Sequence, residues 1–159
     1  MIDVGKPAPD FELRDQDGRP RRLADYRGQR VVLYFYPRAD TPGCTIQAQG
    51  VRDRGADYVD AGAVVLGVSA DTVAEIGAFC RKYSLDFTLL ADPDHAVCER
   101  YGVWREYELP SGSLWAAERT TFLIDEHGIV REVFPAVSPE THDDVVLQAL
   151  VSMGSAGTA

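Results

Sequence analysis

The sequence predicts an α/β fold, a mixed central sheet flanked by helices, and three observations predict it. Residues 31–36 form an unbroken apolar run, Val-Val-Leu-Tyr-Phe-Tyr, as a strand buried on both faces requires. Strand-like and helix-like stretches then alternate, the pattern of parallel strands joined by helical crossovers. Further on, residues 120–124 and 129–134 are separated only by the turn Asp125-Glu126-His127-Gly128, so that pair is a hairpin and the sheet is mixed.

The remaining elements follow in order. Residues 11–14 and 20–23 flank the turn Asp15-Gln16-Asp17-Gly18 and predict an N-terminal β-hairpin. That acidic turn resembles half a calcium loop but lacks the later ligands and the bidentate glutamate, so it is a turn. After the 31–36 strand, Thr41 as N-cap and Pro42 at the first helical position open a helix expected to run to about Asp60. Residues 63–69 are a second buried strand, Asp71-Thr72 cap a helix to Tyr83, and residues 87–90 are a short third strand. Asp92-Pro93-Asp94 begins a short helix through Tyr101, and Ser138-Pro139 begins a last helix to about Val151. Residues 1–153 are expected to be one domain, with 154–159 a tail of small residues. Repeats, low-complexity blocks and linkers are not found in the sequence.

Composition narrows the function. The 159 residues are 45% hydrophobic and 26% charged, ordinary for a globular enzyme and too apolar for disorder. Sixteen Lys and Arg against 25 Asp and Glu give a net charge of -9, which argues against nucleic acid and anionic membranes as partners. The N-terminus has no apolar stretch of the signal-peptide kind, and the longest apolar run is far too short to span a bilayer. The 3 cysteines, Cys44, Cys80 and Cys98, are odd in number and widely spaced, unlike a secreted disulfide framework, so a cytoplasmic location is expected.

Chemistry concentrates in Pro37-Arg38-Ala39-Asp40-Thr41-Pro42-Gly43-Cys44. With Thr41 as cap, Cys44 is the third helical residue, near unpaired backbone N–H groups and the positive end of the helix dipole. Both favour the thiolate, which is the nucleophile. Gly43 allows close approach, and the Thr41 hydroxyl either caps the helix or points at a bound oxygen. On spacing alone the stretch is equally a plain helix start with a small buried cysteine.

Pro37-x-x-x-Thr41-x-x-Cys44 resembles the active-site signature of the peroxiredoxins. The longer stretch from Phe35-Tyr36-Pro37 to Arg52-Asp53 looks like the bacterioferritin-comigratory, or Q-type, subfamily. Gly5-x-x-Ala8-Pro9-Asp10-Phe11, Gly67-Val68-Ser69 and Arg119-Thr120-Thr121-Phe122-Leu123-Ile124-Asp125 extend the resemblance over nearly the whole chain. It implies a thioredoxin-like fold and reduction of hydrogen peroxide and organic hydroperoxides, with no metal, haem or flavin cofactor. It also implies that Cys44 is the peroxidatic nucleophile that becomes a sulfenic acid. Thr41 would hydrogen-bond the peroxide, Pro37 would shield the sulfur from water, and Arg119 would hold the thiolate and polarise the peroxide. An arginine at a strand edge is otherwise a solvated surface charge, but Arg119 directly precedes a strand that can lie beside residues 31–36. Gln47 stands where the subfamily has a polar residue beside the site.

The sequence departs from the subfamily in its resolving cysteine. Many members carry one later on the Cys44 helix, where this chain has Gln49, and no cysteine follows Cys98. Cys80 matches a second arrangement of the subfamily, with the resolving cysteine on the following helix. It also falls on one helical face with Val73, Ile76 and Tyr83, as a core cysteine would. Cys98, on an apolar stripe with Val97 and Tyr101, is the lesser candidate. A disulfide needs Cα atoms within roughly 7 Å, so oxidation is expected to unwind the first turns around Cys44 and loosen the Cys80 helix.

The resemblance implies thioredoxin or a similar dithiol as reductant, and a monomer. A thioredoxin-type exchanger would need Cys-x-x-Cys where this chain has Thr41-Pro42-Gly43-Cys44. A zinc site lacks a second ligand pair beside His95 and Cys98. His95, His127 and His142 receive no role. A one-cysteine peroxidase using an external thiol and a non-enzymatic peroxide sensor remain open, since both use the same activated Cys44.

Overall fold

The computed structural model describes residues 1–154. In chain order the strands and helices are β1 (Glu12–Asp15), β2 (Pro20–Arg22), β3 (Arg30–Phe35), α1 (Pro42–Asp53), α2 (Gly55–Asp60), β4 (Ala63–Ser69), α3 (Val73–Tyr83) and β5 (Thr88–Ala91). They continue as α4 (Ala96–Arg100), β6 (Trp104–Leu109), β7 (Gly112–Ala117), β8 (Thr120–Ile124), β9 (Val130–Phe134) and α5 (His142–Ser152). A 3-10 turn, Leu23–Tyr26, follows β2.

Seven strands form one mixed sheet in the order β2-β1-β5-β4-β3-β8-β9. The apolar run of β3 explains its central place, since every residue from Arg30 to Phe35 is buried. It pairs in parallel with β4 and antiparallel with β8, with Phe35 opposite Thr120. The mixed α/β architecture and the N-terminal strand pair are those expected from the sequence.

Strand alternation divides the core in two. Val32, Tyr34 and Tyr36 belong to a cluster with Cys44 and Val51 of α1, Phe79 and Cys80 of α3, and Val146 of α5. Val31, Leu33 and Phe35 belong to the cluster on the other face, with Cys98 of α4. The sheet therefore separates Cys98 from the other two cysteines.

Several boundaries differ from expectation. The helix expected from Thr41 to Asp60 is two helices, because Arg54 leaves helical geometry (φ -99°, ψ 15°). There Arg54 binds Asp57 and Asp144, and the Tyr58 hydroxyl donates to Asp143 at 2.5 Å, turning α2 toward α5. The last helix starts at His142 rather than at Ser138-Pro139. The intervening segment is held elsewhere, since the Val137 N–H donates to the Arg119 carbonyl at 2.9 Å. The hairpin of β6 and β7 was not foreseen at all. Of the expected tail, residues 155–159 lie outside the described residues.

Candidate active site

The end of β3 and the beginning of α1 place the candidate nucleophile. Thr41 is extended (φ -99°, ψ 157°) and is the N-cap residue, so Cys44 is the third residue of α1. The Thr41 hydroxyl does not cap the helix; it donates to the Arg38 carbonyl at 2.8 Å. This braces the turn before α1 and leaves the hydroxyl oxygen able to accept a bond. Cys44 is a free thiol only 2% exposed.

The pairing of β3 with β8 brings Arg119 to the same end of the sheet. One guanidinium nitrogen, Nη2, lies 3.5 Å from Cys44 Sγ, and the other, Nη1, donates to Gln47 Oε1 at 2.7 Å. Gln47 lies one residue short of a full turn beyond Cys44 and is fully buried. It thus fixes one arm of the planar fork while the other faces sulfur. Gly43 makes room for this, because a β-carbon there would sit 3.0 Å from Arg119 Nη2.

Pro37 and Thr41 line a groove of about 430 Å³ beside this cluster, whose far wall is Trp104, Leu114 and Trp115 of the unforeseen hairpin. Leu114 and Trp115 are about half exposed, so the groove offers apolar surface to a solute.

Cys80 lies on the same side of the sheet as Cys44, on α3, and both are free thiols. Burial first, and Asp17 next, push the Cys80 thiol up to about 11. Burial raises the Tyr36 phenol, with Asp71, Cys44 and Cys80 adding to the rise, and Tyr36 belongs to the same core cluster as both thiols. Cys98 is held differently. Its N–H donates to Asp92 at 2.8 Å, and burial followed by the Asp92 carboxylate pushes its thiol far up.

The structure thus joins Cys44, Arg119 and Gln47 directly and sets Pro37 and Thr41 on the adjoining groove, with Cys80 apart on α3. Gln47 was legible in the sequence only through the subfamily resemblance, and the hairpin wall was not legible. Only the turn Pro110-Ser111, followed by Gly112 at φ 130°, signalled the hairpin. Chemically, a thiolate beside a fixed guanidinium can attack an electrophile whose leaving oxyanion the same guanidinium stabilises.

A buried cysteine at a helix start on a mixed sheet, facing a guanidinium fixed by Gln47, suits thiol-dependent redox chemistry. The chain belongs to the AhpC/TSA family, whose profile matches residues 4–133. It is 46% identical over 149 residues to Peroxiredoxin Bcp of Escherichia coli (strain K12), covering 94% of this chain and 96% of that one. Among solved structures it resembles peroxidoxin BcpB from Mycobacterium tuberculosis (36% identity, TM-score 0.87, 98% of this chain and 100% of that one). It also resembles the Xanthomonas campestris bacterioferritin comigratory protein, described for its alkyl peroxide reduction (32%, TM-score 0.87, 95% and 99%). The protein is thus a peroxiredoxin of the bacterioferritin-comigratory kind, with the thioredoxin-like fold of these neighbours and the thiol peroxidase activity of the class. Among the described residues, no helix is long and apolar enough to cross a membrane.

Proposed function

We propose that Cys44 is the peroxidatic cysteine, that Cys80 resolves it within the same chain, and that thioredoxin or a similar dithiol completes the cycle. The observation that carries the reading is the Arg119 fork, with one nitrogen 3.5 Å from Cys44 Sγ and the other held by Gln47. The Cys44 thiolate attacks the terminal peroxide oxygen, the O–O bond breaks, and the departing alkoxide or hydroxide takes a proton to leave as alcohol or water. Arg119 stabilises the charge that moves from sulfur to the leaving oxygen. Thr41 positions the peroxide and Pro37 shields the sulfur. The groove walled by Trp104, Leu114 and Trp115 suits the carbon chain of an organic hydroperoxide.

Cys44 is then a sulfenic acid. The Cys80 sulfur attacks it, the S–S bond forms, the S–O bond breaks, and the hydroxide leaves with the thiol proton as water. The shared core of Cys44 and Cys80, on the side of the sheet away from Cys98, supports Cys80 in this role. An external dithiol reduces the disulfide by exchange. We place the enzyme in the cytoplasm as a monomer that needs no metal, haem or flavin.

Peroxide-dependent oxidation of NADPH through thioredoxin reductase and thioredoxin tests this. Wild-type protein should turn over, Cys44→Ser should not, and Cys80→Ser should react once and then stall. Full thioredoxin-dependent turnover by Cys80→Ser would overturn the resolving role. A single turnover by wild type would overturn the thioredoxin-driven cycle.

A further inference from the structure

Three consecutive residues between β3 and α1 are fastened to one neighbour. Arg38 faces Glu75 at 3.9 Å, and the Ala39 N–H donates to the buried carboxylate of Asp71 at 2.8 Å. Asp40 receives Lys82 Nζ on one oxygen at 2.9 Å and the Tyr83 hydroxyl on the other at 2.8 Å. Glu75, Lys82 and Tyr83 belong to α3, and Asp71 lies just ahead of it. From α1 itself, Arg52 Nη1 donates to the Tyr83 carbonyl at 2.5 Å. The segment that opens the Cys44 helix is therefore moored to the helix that carries Cys80.

The mooring at Asp40 differs from the others. Asp40 stands at φ 61°, a left-handed conformation disfavoured for a residue with a β-carbon, and it directly precedes the N-cap Thr41. Lys82 and then Tyr83 hold its carboxyl below the usual range, so it meets α3 as a carboxylate. The contact is also half exposed, with Lys82 at 59% and Asp40 at 41%, so each bond is weak enough to break in a working cycle. Tyr83 packs edge-on against Phe79 at 5.6 Å, and Phe79 packs against Tyr36 at 6.3 Å. That aromatic chain runs from the clamp into the core shared by both thiols.

We propose that Asp40 is a positioning residue of the peroxidase cycle. Held by Lys82 and Tyr83, it keeps the first turn of α1 folded around Cys44 while the peroxide reacts. Its release from α3 loosens the Tyr83–Phe79–Tyr36 ring contacts and lets the Cys44 sulfenic acid meet Cys80. The clamp therefore sets the partition of that sulfenic acid between disulfide and further oxidation by a second peroxide to sulfinic acid. The release step rests on the reading of Cys80 as the resolving cysteine.

The test is a Lys82→Met, Tyr83→Phe variant, which keeps the aromatic ring and the side-chain length but removes both donors. Stopped-flow tryptophan fluorescence separates peroxide reaction from resolution, and intact mass after excess peroxide reads the sulfinic fraction. Resolution should become about fivefold faster, as losing one net hydrogen bond and one exposed ion pair implies, and the sulfinic fraction should fall. A merely structural role would slow both phases together and leave the partition unchanged. Unchanged resolution in a variant that melts like wild type overturns the proposal. Asp40→Asn, which tolerates the left-handed backbone and keeps an acceptor for Tyr83, should give an intermediate effect and serves should the double variant fold poorly. Hydrogen exchange of the reduced protein reads the mooring apart from Cys80: faster exchange over residues 39–46 in the variant is expected, and equal exchange overturns the positioning role. Absence of a Cys44–Cys80 disulfide in wild type would instead overturn the resolving reading and with it the release step.

Discussion

Replacing Arg119 by Met removes the one charged donor within reach of Cys44 Sγ among the described contacts and keeps most of the side chain's bulk. A hydrogen bond to a charged group is worth about 1.5–3 kcal/mol, which is roughly 10- to 150-fold in rate if it acts fully in the transition state. Removing one oxyanion donor from an active site costs about 10²–10³ in rate. The two ranges overlap near a hundredfold loss in the second-order rate of Cys44 oxidation. Arg119→Lys keeps the charge but cannot hold Gln47 and sulfur together, so it should lose about tenfold. The assay is stopped-flow fluorescence of the single oxidation step, with Trp104 and Trp115 beside the site as reporters. The substitution also strips the buried Gln47 Oε1 of its partner, at about 1–3 kcal/mol of stability, so urea unfolding must show a folded variant. A folded Arg119→Met enzyme within about threefold of wild type would refute the role assigned to the guanidinium.

Gly43→Ala should raise helix stability by about 1 kcal/mol yet slow peroxide reaction about tenfold. The reason is the β-carbon, placed 3.0 Å from Arg119 Nη2 and 3.5 Å from Pro139 Cγ; paired melts and stopped-flow rates show whether the two effects split. The Cys80 thiol, raised by burial to about 11, should resolve at a rate that levels near pH 8.5–9 if it reacts from a loosened helix. A rate climbing about tenfold per pH unit toward 11 would mean resolution from the folded helix. Because that folded value is raised, Cys80 stabilises the fold fully below about pH 8.5 and loses that contribution as pH rises toward 11. Urea unfolding at pH 8 and 10 should accordingly show Cys80→Ser losing less stability than wild type. Burial works to raise the Asp15 carboxyl, but the Arg19 N–H, the Arg21 guanidinium and the Asp17 N–H together hold it below the usual range. Its stabilisation is present above about pH 3.9 and is lost as pH falls through the depressed folded value. Asp15→Asn should therefore cost about 1–3 kcal/mol at pH 7, with the gap narrowing in acid unfolding.

What the sequence made legible follows from local physics. The apolar run at residues 31–36 marks a central strand because only burial on both faces tolerates it, and Thr41-Pro42 marks a helix start because both residues suit that geometry. Thr41 as the cap put Cys44 in the first turn. The hairpin of β6 and β7 escaped because Tyr107, Leu109, Leu114 and Trp115 are exposed apolar residues, which carry no inward–outward alternation to read. The break at Arg54 escaped because it is set by Asp144 and Asp143 of a distant helix rather than by its own neighbours. The Gln47–Arg119 contact and the Asp40 clamp share this character: each joins residues far apart in sequence, and no spacing encodes such a meeting.

The most direct measurement is peptide mass spectrometry of the protein after one equivalent of hydrogen peroxide without reductant. The account predicts a Cys44–Cys80 disulfide in near-stoichiometric yield, with Cys98 still a thiol. A sulfenic or sulfinic Cys44 beside free Cys80 and Cys98 would contradict it, and so would any disulfide that includes Cys98.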